Sequence, residues 1–364
     1  MLLIANRLSV FLVVLTTLFF RNIHVFGGQA EGEKFDPGKT ITSHIGDAHE
    51  WHLWGHTSIP LPVIIYSKER GLDVFLSSRF HHGKMAHKGY MLKDNSIVAV
   101  NELEDVPAEE ATINEALTSQ LWDISITKNV ASLLISVILI CWIFISVARA
   151  YSRNPNSPPK GLQSLLEPII LFVRDDVIKA AIGPKYEKYL PYLMTAFFFI
   201  WFNNLLGLVP VFPGGANLTG NIAVTLSLAL LTFIITTLSA NKYYWQHIFA
   251  MPGVPAWVLV LLTPIEILGV FLRPFVLMIR LFANVTAGHI IILSFFSLIF
   301  IFGEGGKNMA AGFGVGIVSL VFTVFMSCLE LLVAFLQAYV FTLLSAIYIG
   351  SAVEEHVHDK AHSH

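Results

Sequence analysis

Five ionisable side chains, Glu266, Arg273, Arg280, His289 and Glu330, stand inside otherwise uncharged, apolar stretches of the chain. Placing such a group at the centre of a bilayer is costly, so each marks a functional position before it marks a packing one. Their spacing is ordered. Glu266, Arg273 and Arg280 recur every seven residues, so on an α-helix each falls about 20° from the last and about 10 Å further along. Asn284, one turn after Arg280, extends that face, and Glu330 and Gln337 repeat the seven-residue interval on the next apolar segment. A guanidinium keeps its proton at any physiological pH, whereas an imidazole and a carboxyl can each exchange one. A permanent cation near two exchangeable groups, all in apolar surroundings, suits passage of protons across a membrane. Simple pairing that ties two helices together is the competing reading, and it has to explain the fixed charge and both titratable groups at once. Pro274, inside the stripe, is expected to kink its helix or free a carbonyl there.

The elements that must carry these residues are membrane spans. Apolar residues make up 55% of the 364 and charged ones 13%, against roughly 25% charged in a soluble domain. Uncharged runs cover 129–148, 189–241, 281–303, 308–329 and 331–353, and a crossing needs about 20 apolar residues. Arg149, Arg153 and Lys160 follow the first run and place its end in the cytoplasm. Residues 161–188 mix Leu165, Ile169, Val173 and Ile178 with Arg174, Asp175, Asp176, Lys179 and Lys185, the pattern of an amphipathic helix on the membrane face. Pro210, Pro213, Gly214, Gly215 and Gly220 divide 189–241 into a hairpin of two spans, its uncharged tip outward and Lys188 and Lys242 at its base. Two long helical segments follow, roughly 256–302 and 309–353, joined by a Gly-rich turn with Glu304 and Lys307. The first exceeds a perpendicular span and must tilt or lie partly in the membrane plane. The expected fold class is an all-α polytopic membrane protein: one N-terminal span, an amphipathic surface helix, a helical hairpin and two long tilted membrane helices.

The flanks are different. Residues 1–30, with Arg7, an apolar stretch from Leu8 to Phe20 and a small-residue site at Gly28-Gln29-Ala30, read as a signal peptide, with an uncleaved anchor as the alternative. Residues 31–127 read as an additional extracytoplasmic polar domain with a strand-like run over 61–66 and an acidic stretch from Glu102 to Glu115. His44, His49, His52, His56, His81, His82 and His87 raise a metal site, but no Cys or H-E-x-x-H spacing organises them, so scattered solvent-facing histidines are the expectation. Residues 128–353 form the membrane domain, and 354–364 a His-rich cytoplasmic tail, read as solvated rather than metal-binding. Cys141 and Cys328 read as small hydrophobes in packing. The net charge of −2 and lack of a basic stripe argue against nucleic acid. No P-loop, H-E-x-x-H or G-x-S-x-G is present, so neither direct nucleotide binding nor hydrolase chemistry is expected, and no cofactor. An ion-coupled secondary transporter would also show intramembrane charges and interrupted helices, and is the alternative function; it predicts inverted repeats, which the sequence does not display.

Arg280-Leu-Phe-Ala-Asn-Val-Thr-Ala-Gly-His289, with Arg273-Pro274 and Pro264-Ile-Glu266 before it and Leu336-Gln-Ala-Tyr-Val-Phe341 and Ala346-Ile-Tyr-Ile-Gly350 after it, resembles subunit a of F-type ATP synthases. Phe202-Asn-Asn-Leu-Leu-Gly-Leu-Val-Pro210, Asn221-Ile-Ala-Val-Thr-Leu-Ser227 and Glu354-Glu-His356 extend the resemblance from about 125 to 356, while residues 31–124 have no counterpart in the family's common core. The resemblance implies a stationary, non-catalytic subunit in a bacterial inner membrane, contacting a ring of c subunits and the subunit b stalk. Two offset half-channels would carry protons to and from the ring carboxylates, with Arg280 facing those carboxylates. It further implies Asn284 and Gln337 near that arginine, Glu266 lining the inner half-channel, and Asn204, His289 and Glu330 in the outer one. His289 and Glu330 exchange the order of carboxyl and imidazole seen in some members, and Gly207 stands where some carry Asp.

Overall fold

The computed structural model describes Gly38 and residues 46–54, 57–153, 158–209, 214–251, 254–303 and 309–354. The expected signal segment, the 304–307 turn and the tail from 355 onward lie outside the described residues, as do His44, His56 and the side chain of His52. The chain divides into two compact units, residues 1–131 with 294–320, and residues 132–293 with 321–364.

Before residue 128 the described residues form seven short strands. β1 (Glu50–Trp54) pairs antiparallel with β2 (Thr57–Pro60). A three-stranded sheet has the order β4-β3-β7, with β3 (Pro62–Ser67) central, β4 (Gly71–Leu76) on one side and β7 (Trp122–Asp123) on the other. β5 (Tyr90–Lys93) and β6 (Ser96–Ala99) make a hairpin. Its two-residue loop, Asp94 and Asn95, has positive φ at both positions (48° and 64°), the geometry that matches the twist of the flanking strands. Period-two alternation sends Val63 and Ile65 inward and Pro62, Ile64 and Tyr66 to the opposite face. The inward set packs with Phe80, Tyr90 and Ile97. The hairpin's other face, Met91 and Val98, joins Ala86, Val100, Val106, Ala108 and Ala111 in a second cluster. Arg70 ties the layers together, donating from Nη1 to the Gly89 carbonyl (2.6 Å) and from Nη2 to that of Val100 (2.8 Å).

The rest is helical. α1 (Lys128–Arg153) is followed by α2 (Leu162–Phe172), which continues through a π-helical segment (Val173–Lys179) and short turns into α3 (Tyr186–Leu208). α4 (Ile222–Ser239), α5 (Lys242–Phe249), α6 (Ala256–Phe302) and α7 (Met309–Val353) complete the order. Among the described residues four helices are long and apolar enough to cross a membrane: α1, α4, and most of α6 and α7. The protein is therefore a predominantly helical, multi-pass membrane protein. α3 is not among those four, although the sequence suggested that 189–241 holds two spans. It carries Tyr189, Pro191, Tyr192, Trp201, Asn203 and Asn204, and Leu193, Phe197 and Ile200 on it are fully buried. Protein surrounds much of this helix, so it has less need of a continuous aliphatic surface. α6 is one uninterrupted helix of 47 residues through both Pro264 and Pro274.

Around α3 the core gathers Ile143 and Val147 of α1, Leu277 and Leu281 of α6, and Ala338, Phe341, Ala346 and Ile349 of α7. The segment between α2 and α3 contributes Val173, Ile178 and Ile182 and leaves Lys179 and Lys185 exposed, as its amphipathic pattern requires. The end of α7 is clamped. Asn241 donates from its backbone to the Ala352 carbonyl (2.8 Å) and from Nδ2 to that of Val353 (2.9 Å). Gly350 lies so close to the Ala181 carbonyl that a Cβ there would collide with it. Cys141 and Cys328 are free thiols, but both stand on exposed surfaces of α1 and α7 rather than packed inside the protein. A thiol is apolar enough to face hydrocarbon.

Candidate functional site

The buried residues Val270, Leu277, Leu281 and Val285 trace the packed face of α6. Glu266, Arg273, Arg280 and Asn284 run beside that face, at the margin between protein and surroundings. Glu266, Arg273 and Arg280 are half-buried and Asn284 is exposed. Arg280 sits between the fully buried Leu277 and Leu281, and among the described residues it has no hydrogen bond or ion pair. Glu266 likewise has none among them. One turn beyond Arg280, Asn284 Nδ2 donates to Gln337 Oε1 at 2.9 Å, which fixes the amide of the buried Gln337 and joins α6 to α7.

His289 and Glu330 meet a turn and a half further along. Nδ1 of His289 lies 3.9 Å from Oε1 of Glu330, beyond hydrogen-bond range, and among the described residues both carboxyl oxygens lack a hydrogen-bond partner. Glu330 is only 9% exposed, so its carboxyl is enclosed by protein, with the imidazole of His289 beside it. The adjacent Gly288 makes this possible. A Cβ there would be 2.5 Å from Glu330 Oε1 and 3.1 Å from its Cγ and Cδ, so a side chain would take the space that the carboxyl occupies. Gly207 of α3 faces the other side of the imidazole: a Cβ built on it would be 3.9 Å from His289 Nε2. Asn204, one turn earlier, is buried, donating to the Ala334 carbonyl (3.3 Å) and accepting from Thr219 Oγ1 (2.6 Å).

Arg273 is held apart from this group. Its Nη1 donates to the Tyr244 hydroxyl at 3.1 Å and its guanidinium lies 5.4 Å from the centre of the Tyr348 ring. The two tyrosines, Thr232, Thr236, Val270 and Pro274 line a small cavity beside it. Pro274 has no N–H for the carbonyl one turn earlier, that of Val270, and both residues open on the same cavity. The structure therefore brings together Asn284 with Gln337 and His289 with Glu330, and places Asn204 and Gly207 on α3 beside the latter pair. Glu266 and Arg280 stand on the same helix margin without joining either contact.

Residues 130–350 match the family model described as ATP synthase A chain. The chain belongs to the ATP synthase A chain family. A relative from Chlorobium phaeobacteroides (strain DSM 266), named ATP synthase subunit a, is 36% identical over 363 residues, covering 96% of this chain and 94% of the relative. ATP synthase subunit a 2 of Chlorobaculum tepidum is 48% identical over 237 residues, 64% of either chain, and ATP synthase subunit a of Myxococcus xanthus is 40% identical over 250 residues, 66% of this chain and 77% of that one. Residues 40–124 match a second family model, described as Domain of unknown function (DUF8433). Subunit a membership makes a secondary transporter the weaker reading of the same intramembrane charges.

Three histidines of the first unit each lie against one carboxylate: His82 Nδ1 with Glu50 Oε2 (2.7 Å), His87 Nδ1 with Asp105 Oδ1 (2.7 Å), and His49 Nε2 with Asp123 Oδ2 (3.5 Å). Among the described residues no group of three or more His, Cys, Asp or Glu could hold a metal. Sequence reasoning missed Gly288, Thr219 and Tyr244. Gly288 was visible as the glycine preceding His289, but its use emerges only when α7 is laid across it.

Proposed function

We propose that this chain is the stationary proton-conducting subunit of a rotary F-type ATP synthase in a bacterial inner membrane, with residues 31–127 outside the cytoplasm. Arg280 carries the reading: a permanent cation at the margin of α6, with no anion or hydrogen-bond acceptor from the described residues, is suited to a partner on another chain. A carboxylate on a passing c subunit supplies that partner. The guanidinium favours the ionised carboxylate and repels a proton that would slip directly between the two half-channels. Each proton must then travel on the ring, and moving one charge through the membrane potential yields about 2.3 kcal/mol per 100 mV.

Asn284 and Gln337 position the polar groups nearest Arg280. His289, Glu330 and Asn204 form the outer half-channel, where imidazole and carboxyl exchange protons with water, and Glu266 serves the inner one. Nucleotide chemistry belongs to other chains of the complex, and the subunit b stalk holds this one against rotation. In vesicles with normal assembly, Arg280→Ala is expected to abolish ATP-driven proton pumping. Arg280→Lys should fail as well, because a compact ammonium lacks the planar fork. Wild-type pumping by Arg280→Ala would refute the assignment.

A further inference from the structure

The sheet β4-β3-β7 buries one face and exposes the other, and the exposed face is apolar. Tyr66 of β3 stands opposite Leu72 of β4 and Trp122 of β7, Val74 pairs with Ile64, and Leu76 pairs with Pro62. Ile124 continues the row after Trp122, its N–H bonded to the Ile64 carbonyl at 2.9 Å. Tyr66, Leu72, Val74, Leu76, Trp122 and Ile124 are between 44% and 67% exposed. A contiguous apolar patch of this kind on a water-facing domain marks a surface that something covers.

The attachment of the sheet indicates what covers it. Ile124 is four residues before Lys128, the first residue of α1, a distance of at most about 14 Å. No loose linker intervenes: Ile126 N–H bonds to the Pro62 carbonyl (3.0 Å), Lys128 N–H to that of Ala48 (2.8 Å), and Asn129 N–H to Asp47 Oδ1 (3.1 Å). The sheet and the first turn of a membrane-spanning helix are one hydrogen-bonded piece, so the apolar face is held close to the bilayer surface. Trp122 and Tyr66 are the side-chain types that favour the headgroup level. Charge is distributed accordingly. The acidic stretch from Glu102 to Glu115 packs through Val106, Ala108 and Ala111 on the far face of the β5–β6 hairpin, two layers from the apolar face. Anionic headgroups would repel acids on the near side and do not meet these.

We infer that this sheet face is a membrane-docking surface, and that it seats the domain on the lipid headgroup–acyl boundary beside the entry of α1. The inference needs only that α1 enters the membrane, and it is independent of which side the domain occupies and of the proton pathway.

The test places a spin label at Val74→Cys or, for comparison, Glu110→Cys, in the full-length chain carrying Cys141→Ser and Cys328→Ser. The intact complex is reconstituted in phosphatidylethanolamine and phosphatidylglycerol vesicles. The label at 74 is expected to favour collision with oxygen over a water-soluble nickel chelate by about threefold or more relative to 110, as for a side chain about 5–10 Å into the boundary. Equal ratios at the two sites overturn the inference. A label at 74 shielded from both reagents also overturns it, because a protein, such as a second copy, then covers the face. Adding Val74→Asp beside a label at Leu72→Cys should lower the ratio at 72 and leave that at 110 unchanged; an unchanged ratio at 72 counts against lipid docking.

Discussion

Gly288→Ala tests whether the carboxyl of Glu330 works from the place where it lies. The new Cβ would be 2.5 Å from Oε1, while ordinary contact begins near 3.4 Å, so that oxygen must retreat by about 0.9 Å. Oε1 is also the atom 3.9 Å from His289 Nδ1, so the retreat disturbs the proposed relay directly. Overpacking of this kind typically costs about 1–3 kcal/mol. If the whole cost appears in the barrier to proton entry, flux falls by roughly 5- to 150-fold. Passive proton flux through the membrane sector, measured in vesicles stripped of the catalytic head, reads it directly. Gly269→Ala on the same helix is the control, because a Cβ there meets nothing within 4 Å. Adding Glu330→Asp, shorter by one methylene, should recover part of the loss. Wild-type flux in Gly288→Ala, with normal assembly and an unaffected control, would refute a role for the carboxyl at this position.

His289→Ala and Glu330→Ala are each expected to slow proton entry, and the double variant to be less impaired than the two effects multiplied. Two full charges 3.9 Å apart interact by about 4 kcal/mol at an effective dielectric constant of 20, and coupling in a flux cycle should reach about 0.5–3 kcal/mol; multiplicative effects would assign the residues to separate paths. A cysteine at Glu110 should react with an impermeant thiol reagent added to intact spheroplasts and one at Glu187 should not; the reverse pattern exchanges the inner and outer assignments. Burial alone would raise the pKa of Asp123, but the imidazole of His49, 3.5 Å from its Oδ2, and the backbone N–H of Ser125, which donates to its Oδ1, hold it below the usual carboxylate range. A depressed folded-state pKa gives stability that is full above the unfolded value, near 3.9, and is lost as pH falls through the folded value. Asp123→Asn should therefore remove part of the acid-induced loss of protease resistance in the first unit, and an unchanged acid limb would locate the sensitivity elsewhere.

Much of the helical architecture was legible because lipid imposes a simple rule on side chains. The two long segments, 256–302 and 309–353, coincide with α6 and α7, in which 281–302 and 309–329 run without Asp, Glu, Lys or Arg for about six turns each. α3 was harder to read, since a helix enclosed by protein can use Tyr, Trp and Asn where a lipid-facing one needs aliphatic residues. α5 went unnoticed because eight residues with a mixed polar face give little periodic signal. The seven-residue spacing disclosed which polar residues share a margin of α6, but spacing along one helix carries no information about its neighbour. That Arg273 reaches Tyr244 and Tyr348, or that Glu330 crosses Gly288, depends on the lateral placement of α4, α5 and α7. The strand run at 61–66 lies largely within β3, but the exposed apolar face needed the register of β4 and β7 to become visible.

The clamp on the last turns of α7 makes that helix a lever. Nineteen residues separate Ile349 from Glu330 and twelve separate it from Gln337, placing these side chains about 29 Å and about 18 Å from the fixed end. A tilt of about one degree about that end moves Glu330 by about 0.5 Å and Gln337 by about 0.3 Å. The 3.9 Å gap between His289 and Glu330 is thus the more sensitive to rocking, while the Asn284–Gln337 bond nearer the fulcrum is better placed to survive it. A lateral push on α7 from a moving neighbour would open or close the gap between His289 and Glu330 before it disturbed the Asn284–Gln337 bond.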